Sequence, residues 1–270
     1  LSKVIAVISG KGGVGKTTTT ANLGLGIAKN GRQCVVVDFD IGQRNLDMIL
    51  GLENRVVYDM IQVMDGEAQL DQALIRSKSS PNLYFLPASQ TKDKSVLDSK
   101  KIEKLLAELR ERFEYVILDA PAGIESGFEH TIEYADEAIV VVNPEVSSIR
   151  DSDRAIGILD SKSKKVLNGG EVVKQLIINR LDPEMVEKGE MLSKEDILEI
   201  LGIELLGIVP EDRGVIDASN QGQPIILNDK SEAGKAYRRI AKRLCGQKTP
   251  IVEPKAKKGG LMSTLKGIFS

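Results

Sequence analysis

Tryptophan is absent from these 270 residues, histidine occurs once, cysteine twice, and the aromatic residues are five Phe and five Tyr. A single histidine, His130, argues against histidine-based acid–base chemistry and is expected as a surface residue on a helix. Cys34 lies in an apolar run and Cys245 near the C-terminus. Far apart and without CxxC spacing, they point to neither a metal site nor a disulfide, as suits a reducing cytoplasm. No stretch approaches the roughly 18 apolar residues of a membrane-spanning helix. The chain runs straight into its first apolar strand, so a cytoplasmic protein without a leader is expected. Lys and Arg number 37 against 39 Asp and Glu, which argues against generic nucleic-acid binding, and no nucleic-acid partner is expected.

What the sequence has in quantity is glycine, 25 residues, and short β-branched runs. Val4–Ile8, Cys34–Phe39, Leu83–Pro87, Tyr115–Asp119, Ala138–Asn143, Gln175–Asn179 and Leu205–Val209 read as buried strands. Between them, residues 17–28, 101–112, 147–162, 193–201 and 231–245 carry helical spacing, several behind a Ser or Asp cap. Alternation of this kind predicts an α/β fold, a doubly wound and mostly parallel sheet with helices on both faces. Residues 90–100 and 161–174 read as polar connectors. The predicted organisation is one folded α/β domain over 1–246, a flexible basic linker over 247–260, and an amphipathic segment over 261–270.

The chain is organised around VIAVISGKGGVGKTTTT, residues 4–20. Gly10, Lys11, Gly12, Gly13, Val14, Gly15, Lys16 and Thr17 satisfy the phosphate-loop spacing between a strand and a helix, with Thr18 following in the helix. Glycines let the backbone wrap a phosphate so that successive N–H groups point at the anion. Lys16 supplies a cation for the β- and γ-phosphates, and Thr17 a hydroxyl for Mg²⁺. Lys11, directly after the first glycine, is a second lysine that ground-state binding does not need.

Asp119 closes an apolar strand and precedes Ala120-Pro121-Ala122-Gly123, an arrangement suited to a carboxylate holding Mg²⁺ through water opposite Thr17. Asp38 and Asp40 end the second strand. Phosphoryl transfer needs an oriented water, and with no usable histidine an aspartate is the available group. Asp40 is preferred for that water and Asp38 for support of the metal, with both counted among the metal-site residues. Asn179-Arg180-Leu181-Asp182 has a superficial likeness to a guanine-reading signature, but arginine stands where that signature has lysine.

The last ten residues, LMSTLKGIFS, place Leu261, Met262, Leu265, Ile268 and Phe269 within an arc of about 120° at helical spacing, with Lys266 among the polar residues opposite. From Lys248 onward the chain carries +4, against −6 for the remainder of a chain whose net charge is −2. An amphipathic segment behind basic residues suits an anionic membrane surface. One such tail binds weakly, because ordering ten residues at about 1–2 kcal/mol each nearly cancels the gain from burying its side chains. Two tails on one dimer raise avidity by about 10²–10⁴-fold.

These features together resemble the deviant Walker A ATPases of the MinD/ParA family. The likeness runs from GKGGVGKTT through VVVDFDIGQRNLD (35–47), LPASQT (86–91), LDAPAGIESG (118–127) and ADEAIVVVNPEVSSIRDSDR (135–154) to VPEDRGVIDASNQGQP (209–224). It implies an ATP-sandwich homodimer in which Lys11 reaches the partner's nucleotide. Asn179 and Arg180 would lie at the adenine, together with backbone groups of Pro210 and Asp212. It further implies peripheral binding to the cytoplasmic face of the inner membrane and recruitment of the division inhibitor MinC. MinE would stimulate hydrolysis where present. Both partners would dock near Arg44, Ser148, Asp151 and Asp153. The alternatives are a ParA-type DNA-segregation ATPase, a flagellar-number regulator and an iron–sulfur carrier; the two cysteines are unsuitably placed for the last.

Overall fold

The structure, a computed structural model, describes residues 2–124 and 127–256. In chain order its elements are β1 (Lys3–Ile8), α1 (Lys16–Lys29), β2 (Cys34–Asp38), α2 (Leu46–Leu50), α3 (Met60–Met64), α4 (Leu70–Ala73), β3 (Ile75–Arg76) and β4 (Leu83–Leu86). There follow α5 (Ser99–Arg112), β5 (Tyr115–Asp119), α6 (Phe128–Ile132), β6 (Glu137–Val142), α7 (Val146–Lys162) and α8 (Lys164–Leu167). The last are β7 (Val173–Leu181), α9 (Pro183–Glu187), α10 (Lys194–Leu201), β8 (Glu204–Pro210), α11 (Gly214–Asn220) and α12 (Glu232–Leu244).

Eight strands form one sheet in the order β3-β4-β2-β5-β1-β6-β7-β8. All neighbours pair in parallel except β3 with β4. The doubly wound expectation therefore holds, with one more strand than the apolar runs announce. Two-residue β3 is too short to carry a hydrophobic period, and it closes the β4 edge of the sheet antiparallel to β4.

The apolar runs are continuous because both faces of the sheet are covered. Ile5 and Val7, Val36, Ile117, Ile139, Val141 and Ile177 point into the core beneath α1 and α12. Their neighbours in sequence go to the opposite face. Ala6, Ile8, Val140, Val142, Leu176 and Ile178 pack under α7 and α10, while Val4, Val35, Val37, Val116 and Leu118 pack under α3 and α5. Each fully buried aliphatic side chain contributes about 1.5–3 kcal/mol. The sheet is thus a rigid platform whose carboxyl edge carries the loops of interest.

Two connectors are more ordered than their polarity suggests. Residues 90–100 include a 3₁₀ turn at Lys94–Val96 and the cap of α5, where Asp98 accepts the Lys101 N–H at 2.9 Å. Residues 161–174 include α8 and the start of β7. The expected flexible linker is, over 247–253, strapped to the body. Arg243 donates to the carbonyls of Leu206, Thr249 and Pro250, Gln247 to Asn30, and Lys194 pairs with Glu253. His130 is half-buried on α6, beside Ser99 and Glu133. The amphipathic segment 261–270 lies outside the described residues.

Candidate nucleotide site

β1 ends at Ile8 in the centre of the sheet, and the chain turns through residues 9–15 into α1. Gly13 and Gly15 adopt left-handed backbone, φ 77° and 96°, which only glycine takes without strain. Gly12 and Gly13 are exposed at the crest. Most helices of comparable length here carry a side-chain cap; α1 has none, and no acidic residue sits in its first turn. Its first N–H groups are therefore left for an anion supplied from outside.

Lys16 is folded back under the loop, where its Nζ donates to Ser9 Oγ at 3.0 Å. The Ser9 hydroxyl in turn donates to the Lys11 carbonyl at 2.7 Å. Burial pushes the Lys16 ammonium below its usual range, and Asp119 and Asp40 pull it back up. Lys11 points the other way: its Nζ meets Glu145 Oε2 at 2.9 Å and Ser147 Oγ at 3.0 Å, on the exposed rim at the start of α7.

Asp38 and Asp119 are paired in register at the carboxyl ends of β2 and β5. Both are buried. Burial raises the Asp119 carboxyl to about 6, against the opposing pull of Thr17, Lys16 and Thr20. Thr20 Oγ1 donates to it at 3.0 Å. Asp38 is also raised, by burial first and by Asp119 second. Its two oxygens accept the Asp40 N–H at 2.9 Å and the Leu46 N–H at 3.4 Å, so it shapes the loop after β2 rather than facing outward. Asp40 emerges from that loop with Lys94 Nζ 3.6 Å from Oδ1.

This donor set fits Mg²⁺ held jointly by protein and phosphate. Among the described residues no three acidic, His or Cys side chains converge as a metal cage. The Thr17 hydroxyl and the one buried carboxylate of Asp119 are the protein groups that would hold the ion, with the remaining ligands left to phosphate and water. Two buried carboxylates with raised pKa values are short of positive charge, which a divalent ion supplies.

Asn179, at the bulge that ends β7 pairing with β8, lies directly under the loop. Its Nδ2 donates to the Val14 carbonyl at 2.7 Å. Arg180 holds a left-handed backbone, φ 58°, and its side chain is exposed. Pro210 is the last residue of β8, one position beyond the strand end expected at Val209. The Asp212 carboxylate is committed inside the chain, accepting from Gly214 N–H, the Ser231 hydroxyl and Ala233 N–H. Any contact of Asp212 with a base therefore falls to its backbone.

The partner-docking expectation is altered in two places. Ser148 is buried and its Oγ accepts the Asn143 N–H at 3.1 Å, so it cannot present a side chain to a partner. The Arg44 guanidinium is turned in on buried Asp47, at 2.6 Å. Asp151 and Asp153 do stand on the exposed face of α7. That helix is wedged against the P-loop: a Cβ on Gly10 would stand 2.0 Å from the Asp151 carbonyl, and Gly10 N–H donates to Ser152 Oγ at 3.3 Å.

Sequence reasoning missed Lys94. A hollow of about 880 Å³ lies beside the P-loop rather than over it, between Gly42, Lys92, Lys94, Leu97 and His130. Nothing in residues 90–100 taken alone marks which of their three lysines folds over Asp40.

Residues 1–245 match the ParA family, whose model is described as NUBPL iron-transfer P-loop NTPase. The chain is 58% identical over 267 residues to the septum site-determining protein MinD of Helicobacter pylori, covering 99% of each. Its fold superposes with a TM-score of 0.85 and 44% identity on a chain of the MinC:MinD cell division protein complex of Aquifex aeolicus, covering 94% of this chain and 100% of that one. MinD of Pyrococcus horikoshii complexed with Mg-ADP is similar at 27% identity and a TM-score of 0.79, covering 90% and 96%. Cys34 opens β2 and Cys245 caps α12, both at the sheet edge opposite the P-loop.

Proposed function

Since the chain belongs to the MinD family of septum site-determining proteins, within the ParA-type P-loop NTPases, we propose that two copies pair around ATP and that pairing governs its attachment to membranes. It is a Mg²⁺-dependent ATPase of septum placement, acting with the division inhibitor MinC. Mg²⁺, when bound, would be held by Thr17 and Asp119 and would supply positive charge to offset the charge that builds on the transferred group. The chain's own residues do the rest. Loop N–H groups and the start of α1 hold the phosphates, Lys16 leaves Ser9 for the β- and γ-oxygens, and Thr17 with Asp119 holds the ion. Asp40 orients the attacking water. Asn179, with Nδ2 occupied by Val14, keeps Oδ1 to accept from the adenine amino group.

The observation that carries the pairing is Lys11. It is the loop's second lysine, its side chain 41% exposed, and among the described residues it is tethered only by surface contacts with Glu145 and Ser147. Exposed pairs of this kind contribute about 0–1 kcal/mol, so Lys11 is easily released to another subunit's phosphate. Met48, Val146 and Ile216 stand exposed on helices that follow the carboxyl ends of β2, β6 and β8. Apolar side chains on that edge suit a surface covered in the dimer. MinC and, where present, MinE dock on the α7 face at Asp151 and Asp153, and its wedge against Gly10 relays their binding to the P-loop.

Among the described residues no helix is long and apolar enough to cross a membrane. Attachment falls to residues 261–270, on the cytoplasmic face and against anionic lipid. The test is sedimentation of the full chain with anionic vesicles under ATP, ADP or no nucleotide, beside a chain ending at Gly260. ATP-dependent pelleting of the full chain alone is expected. Pelleting indifferent to nucleotide, or retained without the tail, defeats the reading.

A further inference from the structure

Among the described residues Lys94 is the one cation besides Lys16 that approaches the hydrolytic carboxylates, and the function described so far gives it no task. It opens the 3₁₀ turn that follows Asp93, whose carboxylate accepts the Ser95 N–H at 2.8 Å and so fixes the turn. From there the side chain runs toward the site. Its Cγ and Cδ pass over Gly127, where an added Cβ would stand 3.6 and 3.3 Å from them. Its Nζ ends 3.6 Å from Asp40 Oδ1, with the two side chains 27% and 17% exposed. Among the described residues Asp40 Oδ2 carries no hydrogen bond, and no other cation pairs with this carboxylate. Lys94 thus joins the loop after β2 to the start of α6, which follows the Asp119–Gly123 loop.

We propose that Lys94 is a positioning residue for ATP hydrolysis: by tying Asp40 Oδ1 it fixes the carboxylate so that Oδ2 is the oxygen that accepts from the attacking water. The inference rests on Asp40 as the water-orienting group. In the step itself, the water oxygen bonds to the γ-phosphorus as the bond to the β–γ bridging oxygen breaks and its electron pair leaves with ADP. One water proton passes by way of Oδ2 to the phosphate that is released. A carboxylate free to rotate about its last torsion would offer that oxygen only part of the time. Misplacement on the order of 1 Å in such a constellation reduces rate by about 10²-fold. A tether retained on one oxygen accounts for a smaller part of that.

The experiment uses the full chain with Mg-ATP and anionic vesicles, comparing Lys94→Met, Lys94→Arg, Asp40→Asn and the double variant Lys94→Met/Asp40→Asn. Binding of a fluorescent ADP analogue confirms that each is folded and loads nucleotide. For Lys94→Met, kcat is expected to fall about tenfold with KM and ADP affinity unchanged within about twofold, since the lysine acts on orientation and not on ground-state binding. Lys94→Arg, which keeps the charge within reach, restores most of the rate. The double variant is no slower than Asp40→Asn alone, because Lys94 acts through that carboxylate. The proposal is overturned if Lys94→Met turns over normally while Asp40→Asn is inactive, if its loss lies in nucleotide affinity, or if the double variant is slower still. Normal turnover by Asp40→Asn is a separate outcome that removes the Asp40 reading, and this proposal with it.

Discussion

Asp38 and Asp119 stand side by side at the carboxyl ends of adjacent parallel strands, both fully buried and both raised by burial above the usual carboxylate range. Without Mg²⁺ and nucleotide, the pair is an electrostatic cost built into the centre of the fold. The same cost makes the site receptive to a divalent ion.

Asp119→Asn should therefore stabilise the nucleotide-free protein while removing Mg²⁺-dependent turnover. With its folded pKa raised from 3.8 to about 6, Asp119 favours folding fully below pH 4 and loses that contribution as pH rises through 6. The variant's advantage is then largest above pH 7, roughly 1–3 kcal/mol, and vanishes toward pH 4. Urea unfolding in EDTA at several pH values measures it. An Asn variant less stable than the parent at pH 8 would contradict the assignment.

Gly15 and Asn179 form a second coupled pair. A Cβ at Gly15 would stand 2.4 Å from Asn179 Nδ2, at a position whose φ is 96°. Gly15→Ala should cost about 2–4 kcal/mol from overlap and backbone strain together and abolish nucleotide binding. Adding Asn179→Ala removes the overlap and leaves the strained φ, so the double variant recovers only part of the loss. Full recovery of stability would show that backbone conformation contributes nothing there.

Much of this arrangement is legible in the sequence because its physics is local. A parallel sheet covered on both faces forces continuous β-branched runs, and a phosphate loop forces glycines at fixed spacing. Asp119 and Asp40 are readable as residues that end such runs. Ser148 was readable too: with Ile149, Ser152, Ala155, Ile156 and Leu159 it lies on the buried stripe of α7, a spacing that outweighs its charged neighbours. The five-residue helices α2 and α3 are too short to show a period, although α3 has a capping box in Asp59 and Gln62. Lys94 was not legible. Its meeting with Asp40, 54 residues earlier, depends on where a 3₁₀ turn is set down on the finished sheet.

The strap after α12 yields a prediction about the path of the tail. Arg243 holds the carbonyls of Thr249 and Pro250 at 3.0 Å each while donating to Leu206 of β8 at 2.8 Å. Arg243→Ala removes all three bonds at once and, among the described residues, leaves the segment tied only at Gln247 and Glu253. Tryptic cleavage after Lys248 and Lys255 should accelerate by about tenfold or more, as expected when a local opening loses 1–2 kcal/mol of protection. An unchanged cleavage rate would mean that those bonds do not hold the strap in solution.

Lys11 gives the sharpest separation of binding from pairing. In the single chain it rests on Glu145 and Ser147 at the rim of α7, outside the turn that Lys16 occupies. Removing it leaves the loop N–H groups, Lys16 and Thr17 in place, so Lys11→Ala should bind ADP within about threefold of the parent. Its loss is felt only where a second subunit's phosphate would have received it, and ATP-dependent dimers should disappear. Glu145→Gln is the control in the opposite sense. An exposed ion pair contributes about 0–1 kcal/mol, so this variant should keep its stability and dimerise with ATP at least as readily as the parent. Light scattering on size-exclusion fractions, with ATP and with ADP, reads both variants. ATP-dependent dimers of Lys11→Ala would show that the lysine does not act across the interface and would return it to the role of a solvated side chain.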